Sequence, residues 1–185
     1  MRKTFLSGIC ISIGGAAYIS VGGIVGEVLF AFGLLAIVHY KLPLYTGMAG
    51  FFDWREIDEW LLLLSTIFVN ACGCLFAASL IGLDGGDIIF SRIEAGYFLC
   101  LTRSIMCGII MTFVVGAARQ GNPLPLLLGI PSFIACGFYH SIADAFYMFS
   151  TLADFDLVKD YFPYWLVIVF GNFIGCNIPR MLNFE

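Results

Sequence analysis

Apolar runs long enough to cross a bilayer recur along the chain, separated by short polar breaks. A helix rises 1.5 Å per residue, so about 20 apolar residues span the hydrocarbon of a membrane. The pattern predicts six such helices, at about 4–22, 25–51, 59–82, 95–118, 124–150 and 162–182. Between them lie Asp53-Trp54-Arg55-Glu56-Ile57-Asp58-Glu59, Asp84-Gly85-Gly86-Asp87 and Asp154-Phe155-Asp156. The second run is itself interrupted at Lys41-Leu42-Pro43, because proline offers no N–H and its ring clashes with the preceding turn. The predicted fold class is an all-α integral membrane protein forming one domain, 1–185.

Composition sharpens that reading. Of 185 residues, 61 % are apolar and only 12 % charged, more apolar surface than a soluble domain of this size can cover. Membrane lipid is the expected surrounding. Glycine at 21 residues suits helices that approach closely or break inside a bilayer. The net charge of −4 and the lack of a basic stripe exclude nucleic acid as a partner. Seven cysteines, an odd number, all lie in apolar stretches and argue against a disulfide framework. Cys72-Gly73-Cys74 lacks the second pair of ligands that a zinc site needs, so no metal or cofactor is expected.

Six spans place both termini on one side. Arg2, Lys3, Arg55, Arg119 and Arg180 fall on that side, against Arg92, Arg103 and Lys159 on the other. The excess of basic residues makes the terminal side cytoplasmic, in a multi-pass protein of the cell (inner or plasma) membrane.

The chain also repeats itself. Leu44-Tyr45-Thr46-Gly47 is similar to Phe138-Tyr139-His140-Ser141, and Asn70-Ala71-Cys72-Gly73-Cys74 to Asn172-Phe173-Ile174-Gly175-Cys176, in the same order. This divides the chain into repeats at about 4–83 and 92–183. Three spans per repeat, an odd number, invert the second relative to the first. Inverted repeats with interrupted helices at matching positions point to a central site where the two breaks meet.

On these residues the chain resembles the formate–nitrite transporter family. Leu44-Tyr45-Thr46-Gly47 is similar to that family's L-F-T-G motif in its broken second helix. Gly137-Phe138-Tyr139-His140-Ser141-Ile142-Ala143-Asp144 resembles its G-F-x-H-x-x-A-N motif in the broken fifth. Arg103-Ser104-Ile105-Met106-Cys107 is similar to its R-G-I-x-C stretch. The resemblance implies an aquaporin-like protomer, a homopentamer with one pore per protomer, and passage of formate, nitrite, hydrosulfide or short carboxylates. It also implies constrictions at Phe30, Leu34, Tyr45 and Phe133. The sequence departs from the family pattern at Asp144, where the family has Asn, and at Pro43, where it has an acidic residue. The family's lysine near the start of the fourth helix has no clear counterpart, although Arg92 is nearby.

Ionisable groups within spans are costly and are functional candidates by default. His140, opposite Thr46, leads them. Desolvating a bare anion costs several kcal/mol or more even after relaxation. Protonating a carboxylate of pKa ~4 at pH 7 costs about 3 units, roughly 4 kcal/mol. Neutralisation is therefore the cheaper route, and His140 is expected to donate a proton or hydrogen bond between phenylalanine gates, with Thr46 supplying a hydroxyl. Asp144, four residues on, is expected on the same helix face, where a carboxylate favours imidazolium. Lys41 either attracts anions or snorkels toward a partner such as Glu27. Asn70 and Asn172 are expected to bond across helices or cap the broken ends, with substrate contact the lesser alternative. A neutral-solute channel, of water or urea type, is the alternative. An enzyme is not expected: no catalytic triad, metal pair or phosphate loop accompanies His140.

Overall fold

The structure is a computed structural model that describes residues 1–182; the predicted end of the second repeat at 183 lies outside them. Eight helices follow in order: α1 Arg2–Val21, α2 Gly23–His39, α3 Tyr45–Met48, α4 Ile57–Ile81, α5 Gly86–Arg119, α6 Leu124–Ala135, α7 Ser141–Ser150 and α8 Phe155–Met181. No strand occurs among the described residues. Helices α1, α4, α5 and α8 are each long and apolar enough to cross a membrane, and α2 and α6 are shorter apolar helices. The chain is a multi-pass membrane protein.

Two boundaries differ from the hydropathy pattern. Helix α8 begins at Phe155, well before the predicted 162, because the Asp154 side chain accepts a hydrogen bond from the Leu157 N–H and caps it. Helix α5 begins ahead of its apolar run and bends at Gly96, whose φ of 77° and ψ of 164° are open only to glycine. The segment before this bend carries Arg92.

Small residues set how closely the long helices cross. A Cβ on Gly8 of α1 would stand 2.1 Å from the Asn70 carbonyl oxygen of α4, and one on Gly73 would stand 2.2 Å from that of Phe5. The α5–α8 crossing has the same construction. A Cβ on Gly108 would lie 2.5 Å from the Asn172 oxygen, and one on Gly175 would lie 2.0 Å from that of Ile105. Backbones touch at both crossings, as small-residue membrane interfaces permit.

The two breaks are also built alike. After α2, the Lys41 N–H donates to Val38 and the Leu42 N–H reaches back to Ile37. After α6, the Gly137 N–H donates to Ile134 and the Phe138 N–H to Phe133. Both are helix ends closed by a left-handed residue: Gly137 at φ 66° and, unusually for a side-chain-bearing residue, Lys41 at φ 51°. Asn70 then accepts the Tyr45 N–H and donates to the carbonyls of Thr4 and Pro43. Asn172 accepts the Ser141 N–H and donates to those of Ser104 and Tyr139. Lys41 thus corresponds to Gly137, Pro43 to Tyr139, Leu44 to His140 and Tyr45 to Ser141. This register is two residues away from the sequence match, which aligned Tyr45 with Tyr139. Aromatic identity suggested the match, whereas the turn and the helix start fix the backbone.

Candidate functional site

His140 is the residue before α7, in extended conformation, and its Nδ1 accepts the Ala143 N–H at 3.2 Å. An accepting Nδ1 leaves the proton of the neutral ring on Nε2. That N–H faces Thr46 Oγ1 at 2.9 Å and donates to it. Both residues are fully buried, at 1 % and 0 % exposure. The two breaks therefore meet through a single bond between side chains of opposite halves. Further bonds tie the halves together: the Cys74 thiol donates to the Ile142 carbonyl, and the Cys176 thiol to that of Thr46.

An aromatic stack covers the histidine. The Phe133 ring lies 6.0 Å from the His140 ring, nearly parallel at 25°, and Phe30 meets Phe133 edge-on at 6.2 Å. Two cavities occur among the described residues. One, about 240 Å³, has His140, Phe30, Phe133, Asp144, Arg92 and Arg103 in its wall. The other, about 490 Å³, is walled by Leu34, Lys41, Pro43, Met48 and Arg119 among others. Phe30 and Leu34 are neighbours one turn apart on α2. One borders the first cavity and the other borders the second.

The remaining candidates fall into place less simply. Lys41 stands in the wall of the larger cavity and is solvent-exposed; no ion pair to Glu27 forms among the described residues. Asp144 is on the histidine side, as expected for the next helical turn, but its oxygen bonds elsewhere. Oδ1 receives Arg92 Nε at 2.5 Å and the Tyr161 hydroxyl at 2.7 Å. The partner of this carboxylate is therefore a guanidinium, a strong and permanently charged donor, and not the imidazole.

Asn70 and Asn172 border neither cavity. Every polar atom of both amides is bonded to backbone, as the bracing reading expects. Tyr45 is buried and also outside both walls; its hydroxyl donates to the Val169 carbonyl at 3.0 Å. Its hydroxyl thus meets the backbone of α8, and neither cavity wall includes it.

Arg92, Arg119 and Tyr161 were not among the sequence candidates. The Arg92 guanidinium also lies 4.3 Å above the Tyr139 ring. Arg119 donates from Nη2 to the Gly47 carbonyl at 2.7 Å and sits 4.1 Å above the Phe51 ring. The signal for Arg119 was its place at the end of an apolar run, which charge counting absorbed into the membrane flank.

No family model matches the chain, and no curated protein matches it. Among solved structures, it is similar to one described as an FNT family ion channel, at a TM-score of 0.84 and 16 % identity, over 99 % of this chain and 87 % of that one. It is also similar to one described as a pentameric formate channel with formate bound, at a TM-score of 0.76 and 17 % identity, over 99 % and 95 % of the two chains. These identities establish likeness of backbone over nearly the whole length. The chain has a formate–nitrite transporter-like fold.

Proposed function

We propose that the protein is a membrane channel for small monovalent anions or their conjugate acids, formate-sized species among them, working as a homopentamer in the cell membrane with both termini cytoplasmic. The observation that carries this reading is the layer of Phe30, Phe133 and His140 at the wall of one cavity, together with the basic side chains that line both cavities. The similar pentameric formate channel supports both the assembly and the kind of substrate.

The layer decides the mechanism. Phenylalanine and leucine give an ion no replacement for its hydration, so the unprotonated anion meets a barrier there. His140 offers one donor, Nε2–H, already resting on Thr46. A substrate arriving at the layer takes that hydrogen bond in place of Thr46, and the freed Thr46 hydroxyl turns to donate in its turn. Two donors meeting one small acceptor lower the cost of desolvation at the narrowest point. Lys41, at the mouth of the larger cavity, raises the local anion concentration.

Reconstitution tests it. Proteoliposomes containing the protein are expected to take up formate or nitrite rapidly, and to pass urea no faster than empty liposomes. Equal passage of urea and anion would point to a neutral-solute pore instead.

A further inference from the structure

The two cavities carry different charge, and the difference comes from one residue. Lys41 and Arg119 stand in the wall of the larger cavity, and among the described residues no Asp or Glu joins them there. The smaller cavity has Arg92 and Arg103, together with Asp144. Arg92 is ion-paired to Asp144, which leaves Arg103, hydrogen-bonded at Nη1 to the Tyr139 hydroxyl, as the cation of that wall without a carboxylate. Formally the larger cavity bears two positive charges and the smaller bears one.

The two cations of the larger cavity are held from different elements. Arg119 closes α5 and is fixed at both ends of its guanidinium, by the Gly47 carbonyl and the Phe51 ring. Lys41 sits in the break after α2, at a left-handed φ of 51° that is unfavourable for lysine. The same structural position in the second half is a glycine, Gly137, at φ 66°.

Resting on the channel reading above, we propose that Lys41 and Arg119 together form an anion-binding subsite at the mouth of the larger cavity. Asp144, by neutralising Arg92, keeps the smaller cavity from forming an equal one. The ligand class is a small monovalent anion in its unprotonated form. The protein is then asymmetric. It half-saturates at lower anion concentration from the Lys41 side, which is also the side of the N-terminus, than from the His140 side. A passive path has equal low-concentration permeability in both directions at zero voltage, so the asymmetry is read in half-saturation and not in the initial slope.

The test uses full-length protein in proteoliposomes sorted for orientation by accessibility of an N-terminal tag, with formate as the probe added to one face at a time. Wild type is expected to half-saturate about five-fold lower on the Lys41 face. Arg119→Gln and Lys41→Asn, the latter suited to a left-handed backbone, are expected to raise half-saturation on that face alone, with Arg119→Lys restoring it. Asp144→Asn is expected to lower half-saturation on the opposite face and to narrow the difference. Faces that saturate alike in wild type, or variants that shift both faces equally, would overturn the subsite while leaving channel activity standing. No formate flux in wild type would instead remove the channel reading itself.

Discussion

His140 and Thr46 stand 94 positions apart in the chain and are joined by one hydrogen bond of 2.9 Å in a fully buried setting. Because Nδ1 already accepts the Ala143 N–H, the direction of this bond is fixed: the ring donates and the hydroxyl accepts. Thr46→Val keeps the shape and removes the acceptor, stranding a buried N–H at a cost of about 1–3 kcal/mol. Lower thermal stability in detergent and several-fold slower formate flux are expected, with Thr46→Ser close to wild type in both.

Asn172 holds the start of α7 by three bonds to backbone, and Asn70 holds α3 likewise. Removing either amide leaves buried N–H and C=O groups unpaired, each costing about 1–3 kcal/mol. Asn172→Leu is expected to reduce the yield of folded oligomer and lower its melting temperature. Altered substrate selectivity with unchanged stability would contradict the bracing role.

Glycine at the helix crossings makes a sharper prediction. A Cβ on Gly175 meets the Ile105 carbonyl at 2.0 Å, and that neighbour is backbone rather than a flexible side chain. Gly175→Ala is expected to destabilise at or above the upper end of the usual overpacking cost of about 1–3 kcal/mol. Gly116→Ala, whose added Cβ would lie 3.7 Å from the nearest atom, is the control and is expected to melt as wild type.

Asp144 and Arg92 compensate one another. Asp144→Asn keeps an oxygen acceptor for the guanidinium and removes the negative charge. Assembly is therefore expected to survive on size-exclusion chromatography. The uncovered positive charge favours the unprotonated substrate, whose share grows as pH rises. The flux optimum is expected to move to higher pH; an unchanged pH profile would uncouple this pair from transport. Arg92→Leu, by contrast, strands a buried carboxylate, and breaking such a pair costs about 3–5 kcal/mol, so poor folding is expected.

Much of the architecture was legible because lipid imposes a simple length rule. The apolar runs gave the long helices, and the interruption at Lys41-Leu42-Pro43 gave the break. The meeting of Thr46 with His140 followed from motif resemblance. What the sequence could not carry was direction. Asn70 and Asn172 read as braces ahead of substrate contacts, but which carbonyls they reach is decided only by the folded chain. Asp144 was placed on the correct helix, yet its partner lies on the segment before Gly96, whose bend no hydropathy pattern marks. The likeness of the two breaks was legible, but their register was not. Side-chain similarity aligned Tyr45 with Tyr139, whereas left-handed Lys41 and Gly137 align the backbones two residues differently. Arg119 was hidden for a related reason: a basic residue at the end of an apolar run serves equally as a membrane flank and as a cavity wall.

In the proposed mechanism, substrate crosses the aromatic layer by taking the hydrogen bond of His140. Formate flux through proteoliposomes containing His140→Phe, beside wild type and His140→Asn at matched oligomer content, tests it most directly. Phenylalanine, which extends the apolar layer and offers no donor, is expected to reduce flux at least ten-fold, and asparagine, which can still donate, is expected to retain more of it. Wild-type flux in an assembled His140→Phe protein would contradict the account.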